Sequence, residues 1–104
     1  MLVTVFRSRL RGESTQEYEP VADHMSELAQ TMPGYLSHKT FVADDGERVT
    51  IVEFADAEAH RAWAEHPAHR RAQQLGRERF YSRYQIQVCE VLRSSSFPIA
   101  EPKG

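Results

Sequence analysis

The apolar patterning of the sequence predicts an α+β domain in the order β-α-β-β-α-β, and three features carry that prediction. Two segments near the ends of the chain, Leu2–Leu10 (LVTVFRSRL) and about 84–93 (YQIQVCEVLR), are rich in β-branched and aromatic residues, as strands are. Two more strand-like runs flank Asp44-Asp45-Gly46-Glu47, a strong hairpin signal. The stretches between them place apolar residues at steps of three and four, the period of a helix with one buried face. That order gives a ferredoxin-like arrangement, a four-stranded antiparallel sheet with two helical segments on one face.

The first strand ends before Gly12. Ser14 and Glu17 have the spacing of a capping box, and Tyr18, Val21, Met25, Leu28 and Met32 form the apolar stripe of a first helix. Pro20 is awkward within it, so the helix either begins near Pro20 or has kinked first turns. Pro33-Gly34 stops the helix. Strands over 35–43 and Arg48–Phe54 follow. Asp56 is placed to cap a helix over about 57–65, and Pro67 suits the first position of a further helical stretch reaching about residue 79. After the last strand, Ser94-Ser95-Ser96 and a proline-containing segment read as a tail, which divides the chain into a domain at 1–93 and a tail at 94–104.

In the first strand Val3 and Val5 oppose Leu2, Phe6 and Leu10; in the last, Cys89 and Val91 oppose Ile86, Val88 and Leu92. A sheet with apolar residues on both faces needs a second cover. The chain has no spare element, so a second copy, a homodimer through the sheet face, is the simplest one. Its length of 104 residues fits one domain, and such a short chain buries only about 60–65% of its unfolded surface. Borrowed surface is therefore an advantage.

No apolar run nears the roughly 18 residues of a membrane-spanning helix. The N-terminus lacks the pattern of a secretory leader, and one cysteine, Cys89, makes no intramolecular disulfide, so the expectation is a cytoplasmic protein without membrane attachment. Cys89 itself reads as a small buried core residue. A net charge of −2 argues against nucleic-acid binding, which normally shows a basic face. The near-balance hides sorting: residues 13–32 hold five acids and no Lys or Arg, whereas residues 61–83 hold six arginines against Glu65 and Glu78. Complementary helix surfaces account for this.

Chemistry concentrates in Trp63-Ala64-Glu65-His66-Pro67-Ala68-His69-Arg70-Arg71-Ala72-Gln73. A helix after Pro67 carries a core stripe of Ala68, Ala72 and Leu75, with His69 and Gln73 beside it, so that Trp63, His66 and His69 can converge on one edge of a cavity between helix and sheet. His66 and His69 are three apart across a proline, and no carboxylate or second cysteine stands at ligand spacing, so no metal site is expected. The acids around Gly46 lack the later ligands of a calcium loop, and a turn explains them. His38 alternates with Leu36 and Thr40 on its strand, and lines either the pocket or the dimer seam.

From Trp63 onward (W-x-x-H-P-x-H-x-x-A-Q, Gly76-Arg77, Phe80-Tyr81, Tyr84, Ile86-Gln87-Val88-Cys89), together with the first strand, Met32-Pro33-Gly34-Tyr35 and Thr50 to Phe54, the sequence resembles the antibiotic biosynthesis monooxygenase (ABM) family over about residues 1–93. The resemblance implies a homodimer with a shared, dimeric α/β barrel. It also implies cofactor-independent oxygenation of small electron-rich aromatics, such as anthrone-type or hydroquinone compounds, to quinones. A phenol that loses a proton can pass an electron to dioxygen, so the protein supplies a base, stabilises the anion and excludes water. On that reading His66 or His69 is the base, Trp63 walls the ring, and Tyr81, Tyr84 and His38 contact the substrate. A non-catalytic small-ligand or stress-response module on the same scaffold is the alternative. The haem-degrading branch of the superfamily uses an Asn on the first strand and a His ten residues after the Trp. Here Gln73 stands at the second position and the chain contains no Asn, which disfavours haem oxygenation.

Overall fold

The computed structural model describes residues 1–12 and 15–98. Its elements are β1 (Leu2–Leu10), α1 (Thr15–Gln30), β2 (Tyr35–Val42), β3 (Arg48–Phe54), α2 (Ala57–Ala64), α3 (Pro67–Leu75), a π-helical turn (Gly76–Phe80) and β4 (Tyr81–Glu90). Among the described residues no helix is long and apolar enough to cross a membrane. The expected order is therefore present, with the second helical segment divided at Pro67.

The sheet order is β2-β3-β1-β4, with every neighbouring pair antiparallel. Register sorts the faces. Leu2 pairs Phe54, Thr4 pairs Val52 and Val88, and Phe6 pairs Thr50 and Ile86, so these side chains share the face under the helices. Val3 pairs Cys89 and Glu53, and Val5 pairs Ile51 and Gln87, so Val3, Val5, Ile51 and Cys89 share the outer face, which no helix covers. Phe41 joins them opposite Val49 and is 49% exposed. Cys89 is exposed, which corrects the buried reading: it stands on the outward side of an edge strand, where nothing among the described residues packs on it.

α1 starts at Thr15 and runs through Pro20, which decides the question of where it begins. Ser14 lies outside the described residues, so the capping box does too. After α1, Gly34 adopts φ +83°, and a Cβ there would collide with that of Ala59 on α2. The stop thus also lets α2 pack close. Asp56 caps α2 by accepting a hydrogen bond from the Ala59 N–H at 2.8 Å, as its spacing predicts, and Pro67 opens α3.

β4 begins at Tyr81 and ends at Glu90, earlier at both ends than its apolar pattern suggests. Its start is fixed from outside. The Arg11 N–H donates to the Phe80 carbonyl at 2.8 Å, and the Arg11 guanidinium donates to the carbonyls of Arg77, Glu78 and Tyr81. These bonds hold the π-helical turn against β1 and deliver Tyr81 opposite Leu10, across a register shift at Arg9/Leu10. Arg79 reaches Glu17 of α1 at 3.8 Å, one instance of the charge complementarity read from the sequence. The core joins Ala29, Phe54 and Trp63, with Met25, Leu28, Met32, Tyr35, Val52 and Ala59 packed around them. Residues 91–98 add no regular secondary structure, and Leu92 and Phe97 are exposed.

Candidate functional site

A cavity of about 400 Å³ lies between the helices and the inner sheet face. All four strands, the three helices and the π-helical turn contribute to its wall. Ile86 and Val88 line it yet remain 40% and 50% exposed, which puts its open side along β4. No Asp, Glu, Lys or Arg lines it among the described residues. Its polar character comes from hydroxyls, Gln73 and the imidazoles of His38, His60 and His69.

Trp63 and His69 form one wall. The last two residues of α2, a break at Glu65 and His66 and the first turn of α3 bring their rings to 4.5 Å with a tilt of 33°. Burial pushes the His69 imidazolium below the ordinary histidine range, opposed by a hydrogen bond to the Ala64 backbone and reinforced by His60 and His66. The neutral ring therefore prevails. Nδ1 of His69 is buried and has no hydrogen-bond partner, and neither has Oγ1 of Thr4 on the same cavity. Unpaired buried polar atoms are costly.

His66 stands apart. Its ring centroid is 6.0 Å from that of Trp63, but it does not line the cavity, and its Nδ1 accepts the Ala68 N–H at 3.1 Å as the cap of α3. A histidine before Pro67 is placed by the helix start it closes, and the sequence spacing alone did not separate that duty from a role as base.

Tyr81 and Tyr84 both line the cavity, in an aromatic group with Phe6 and Tyr18 at centroid separations of 5.5–5.9 Å. Burial pushes the Tyr81 phenol well above its ordinary range, so it is a neutral O–H donor. A Cβ on Gly76 would strike the Tyr81 ring, so glycine there lets the ring lie flat on the turn. The Tyr84 hydroxyl accepts from Arg77 Nη1 at 3.1 Å. His38 lines the cavity rather than the outer face, because its partner in register is Val52.

Sequence reasoning missed His60, Ser26, Tyr18 and Thr4 as wall residues. For His60 a signal existed: it precedes Trp63 by three on α2, one helical face, and its ring lies 6.0 Å from Phe54. Gln73 also lines the cavity, so the position ten residues after Trp63 presents an amide where the haem-degrading pattern needs an imidazole.

Comparison with known proteins agrees with this architecture. The profile of the family "Antibiotic biosynthesis monooxygenase" matches residues 1–75. The chain belongs to this family. It is 29% identical over 93 residues to the Bacillus subtilis (strain 168) protein YqjZ, covering 89% of this chain and 82% of the relative. SnoaB, a cofactor-independent oxygenase from Streptomyces nogalater, superposes with TM-score 0.75 at 19% identity, over 93% of this chain and 96% of SnoaB. Rv0793 from Mycobacterium tuberculosis gives TM-score 0.80 at 17% identity, over 91% and 98% of the two chains. At those identities the structural likeness speaks for the fold, and the family's ferredoxin-like sheet is the one described above.

Proposed function

We propose that the protein is a cofactor-independent monooxygenase acting on a small, planar, electron-rich aromatic such as an anthrone or hydroquinone. The observation that carries this reading is the His69 ring against Trp63 in the wall of a cavity lined, among the described residues, by no Asp, Glu, Lys or Arg. A neutral imidazole takes a proton from a ring hydroxyl or an activated C–H. The resulting anion is electron-rich enough to reduce dioxygen, and conversion of a ring CH₂ to C=O consumes one O₂ and releases one water. Trp63 walls the substrate ring. Tyr81, held neutral, and Tyr84, polarised by Arg77, donate hydrogen bonds to the developing oxyanion. His66 keeps its place as a helix cap. The absence of a required cofactor is carried over from SnoaB, a cofactor-independent oxygenase, and from the family resemblance.

The test is direct because Trp63 is the single tryptophan. Purified protein given a panel of anthrones and hydroquinones under oxygen is expected to quench Trp63 emission and consume oxygen with quinone formation. Quenching without turnover would favour a binding module; neither response would sink the cavity reading.

The outer face, with Val3, Val5, Phe41, Val49 and Ile51, supports a homodimer through the sheet. A solution mass of twice 12.0 kDa is expected, and Ile51→Glu is expected to give the monomer. A wild-type mass of 12.0 kDa would refute the covered sheet. The one cysteine is in keeping with a reducing, cytoplasmic setting.

A further inference from the structure

Edge strand β2 contains an irregularity with a chemical consequence. Residues three apart on a regular strand point to opposite faces. Tyr35 pairs Phe54 and His38 pairs Val52, both inward positions of β3, because the register shifts between Tyr35 and Ser37. Leu36 is the extra residue, and it is half exposed. The bulge thereby turns Tyr35 and His38 to the helix side together, the kind of re-aiming that bulges provide beside active sites.

Once there, they form a chain of hydrogen bonds. Tyr35 Oη lies 2.6 Å from His38 Nδ1, and His38 Nε2 lies 3.1 Å from Ser26 Oγ on α1. Ser26 and His38 line the cavity, whereas Tyr35 lies behind them, its ring edge-on to Phe54 at 6.2 Å and to His38 at 5.8 Å. His38 thus has one nitrogen fixed by a packed phenol and the other directed to a hydroxyl on the cavity wall.

We propose that Ser26 and His38 form a second proton-accepting station of the cavity, with Tyr35 as its positioning residue. The proposal rests on the reading of the cavity as a site for hydroxylated aromatics. Both hydrogens of a ring CH₂ that becomes C=O, or of two hydroxyls that become two carbonyls, leave the ligand and end in the water or peroxide formed from dioxygen, and a second acceptor takes the second proton while His69 still holds the first. In the step itself the ligand O–H bond breaks as Ser26 Oγ gains that proton, while the hydroxyl's own proton passes to His38 Nε2. The imidazolium then donates Nδ1–H to Tyr35 Oη, and the ligand remains as an anion. Proton count and charge balance within the pair. No Asp, Glu, Lys or Arg lines the cavity among the described residues; Arg77 on the Tyr84 hydroxyl and Arg48 over the Tyr18 ring at 5.4 Å stand behind its β4 and α1 walls, and at the β2 edge that imidazolium is the counter-charge the anion meets. The other titratable groups on the wall are Tyr18 on α1, His60 on α2, His69 on α3, and Tyr81 and Tyr84 on β4.

The test uses 1,2-dihydroxyanthraquinone, a planar probe whose visible spectrum changes when a hydroxyl ionises. It is titrated against pH while bound to wild type, His38→Gln, Ser26→Ala and Tyr35→Phe, with binding of the neutral probe followed by Trp63 emission. Removing a counter-charge at this range shifts an ionisation by about one to three pH units. The bound probe is therefore expected to ionise at least about one unit higher in His38→Gln and Ser26→Ala, and by a smaller step in Tyr35→Phe, with neutral-probe affinity changed little. Equal ionisation in wild type, His38→Gln and Ser26→Ala, with binding intact, would overturn the second station and leave the cavity reading in place. A probe that binds none of the four proteins would overturn both.

Discussion

His69→Gln is expected to slow oxygenation by about 10²–10⁴-fold, the range attributed to a positioned base. Glutamine approximates the size of the ring and keeps a donor and an acceptor, but it takes no proton at neutral pH. The stacking surface is Trp63, so affinity for the substrate ring, read by Trp63 emission, is expected to change far less than the rate. The pH dependence gives a second reading with a definite sign. A base works in its deprotonated form, which prevails above its own pKa. Burial, the largest influence on His69, moves that pKa down. The rate of the wild-type protein is therefore expected to persist as pH falls through about 6.5, the ordinary histidine value, and to decline only below it. His69→Gln should remove that acidic decline along with most of the rate. Wild-type turnover in His69→Gln would exclude this imidazole as the base.

The parts of this site that were legible in the sequence are those set by local chemistry. Arg48–Phe54 emerged with both ends correct because the turn residues 44–47 and Asp56 bracket it. Of Trp63, His66 and His69, expected to converge on the cavity, Trp63 and His69 do so because a proline at the first position of α3 fixes how one helix hands over to the next, whereas His66 is turned aside as the cap. What stayed hidden depends on distant partners. The early start of β4 is dictated by Arg11, some seventy residues away in the chain, through carbonyls that only the folded turn brings together. The inward aim of both Tyr35 and His38 depends on a bulge, and a bulge shows itself in pairing rather than in composition. The alternation of Val3 and Cys89 placed both on the face away from the helices, and nothing among the described residues packs there, which is why Cys89 is exposed.

Phe54→Ala is expected to cost about 3–5 kcal/mol, as for other buried aromatics. Phe54 is 1% exposed and closes β3 opposite Leu2 on β1 and Tyr35 on β2. It also meets the rings of Tyr35 and His60 edge-on and packs in one cluster with Ala29 and Trp63. Among the described residues, Phe80 is the one other buried apolar side chain, so the core has little redundancy. Against a total stability of about 5–15 kcal/mol the loss is large. For a domain of this size it corresponds to a fall in Tm of about 12–40 °C. One feature works toward the lower end of the range: Phe54 also lines the cavity, so the space it vacates joins an open, solvated volume instead of an enclosed void. Phe54→Leu retains most of the buried apolar volume and should recover most of the loss. The same substitution widens the wall beside His60 and Trp63, so Phe54→Ala that still folds should accept a bulkier aromatic than wild type does. Equilibrium denaturation decides the first point. A loss below about 1 kcal/mol, the scale of an ordinary surface change or a conservative core swap, would mean that the core is not organised around Phe54.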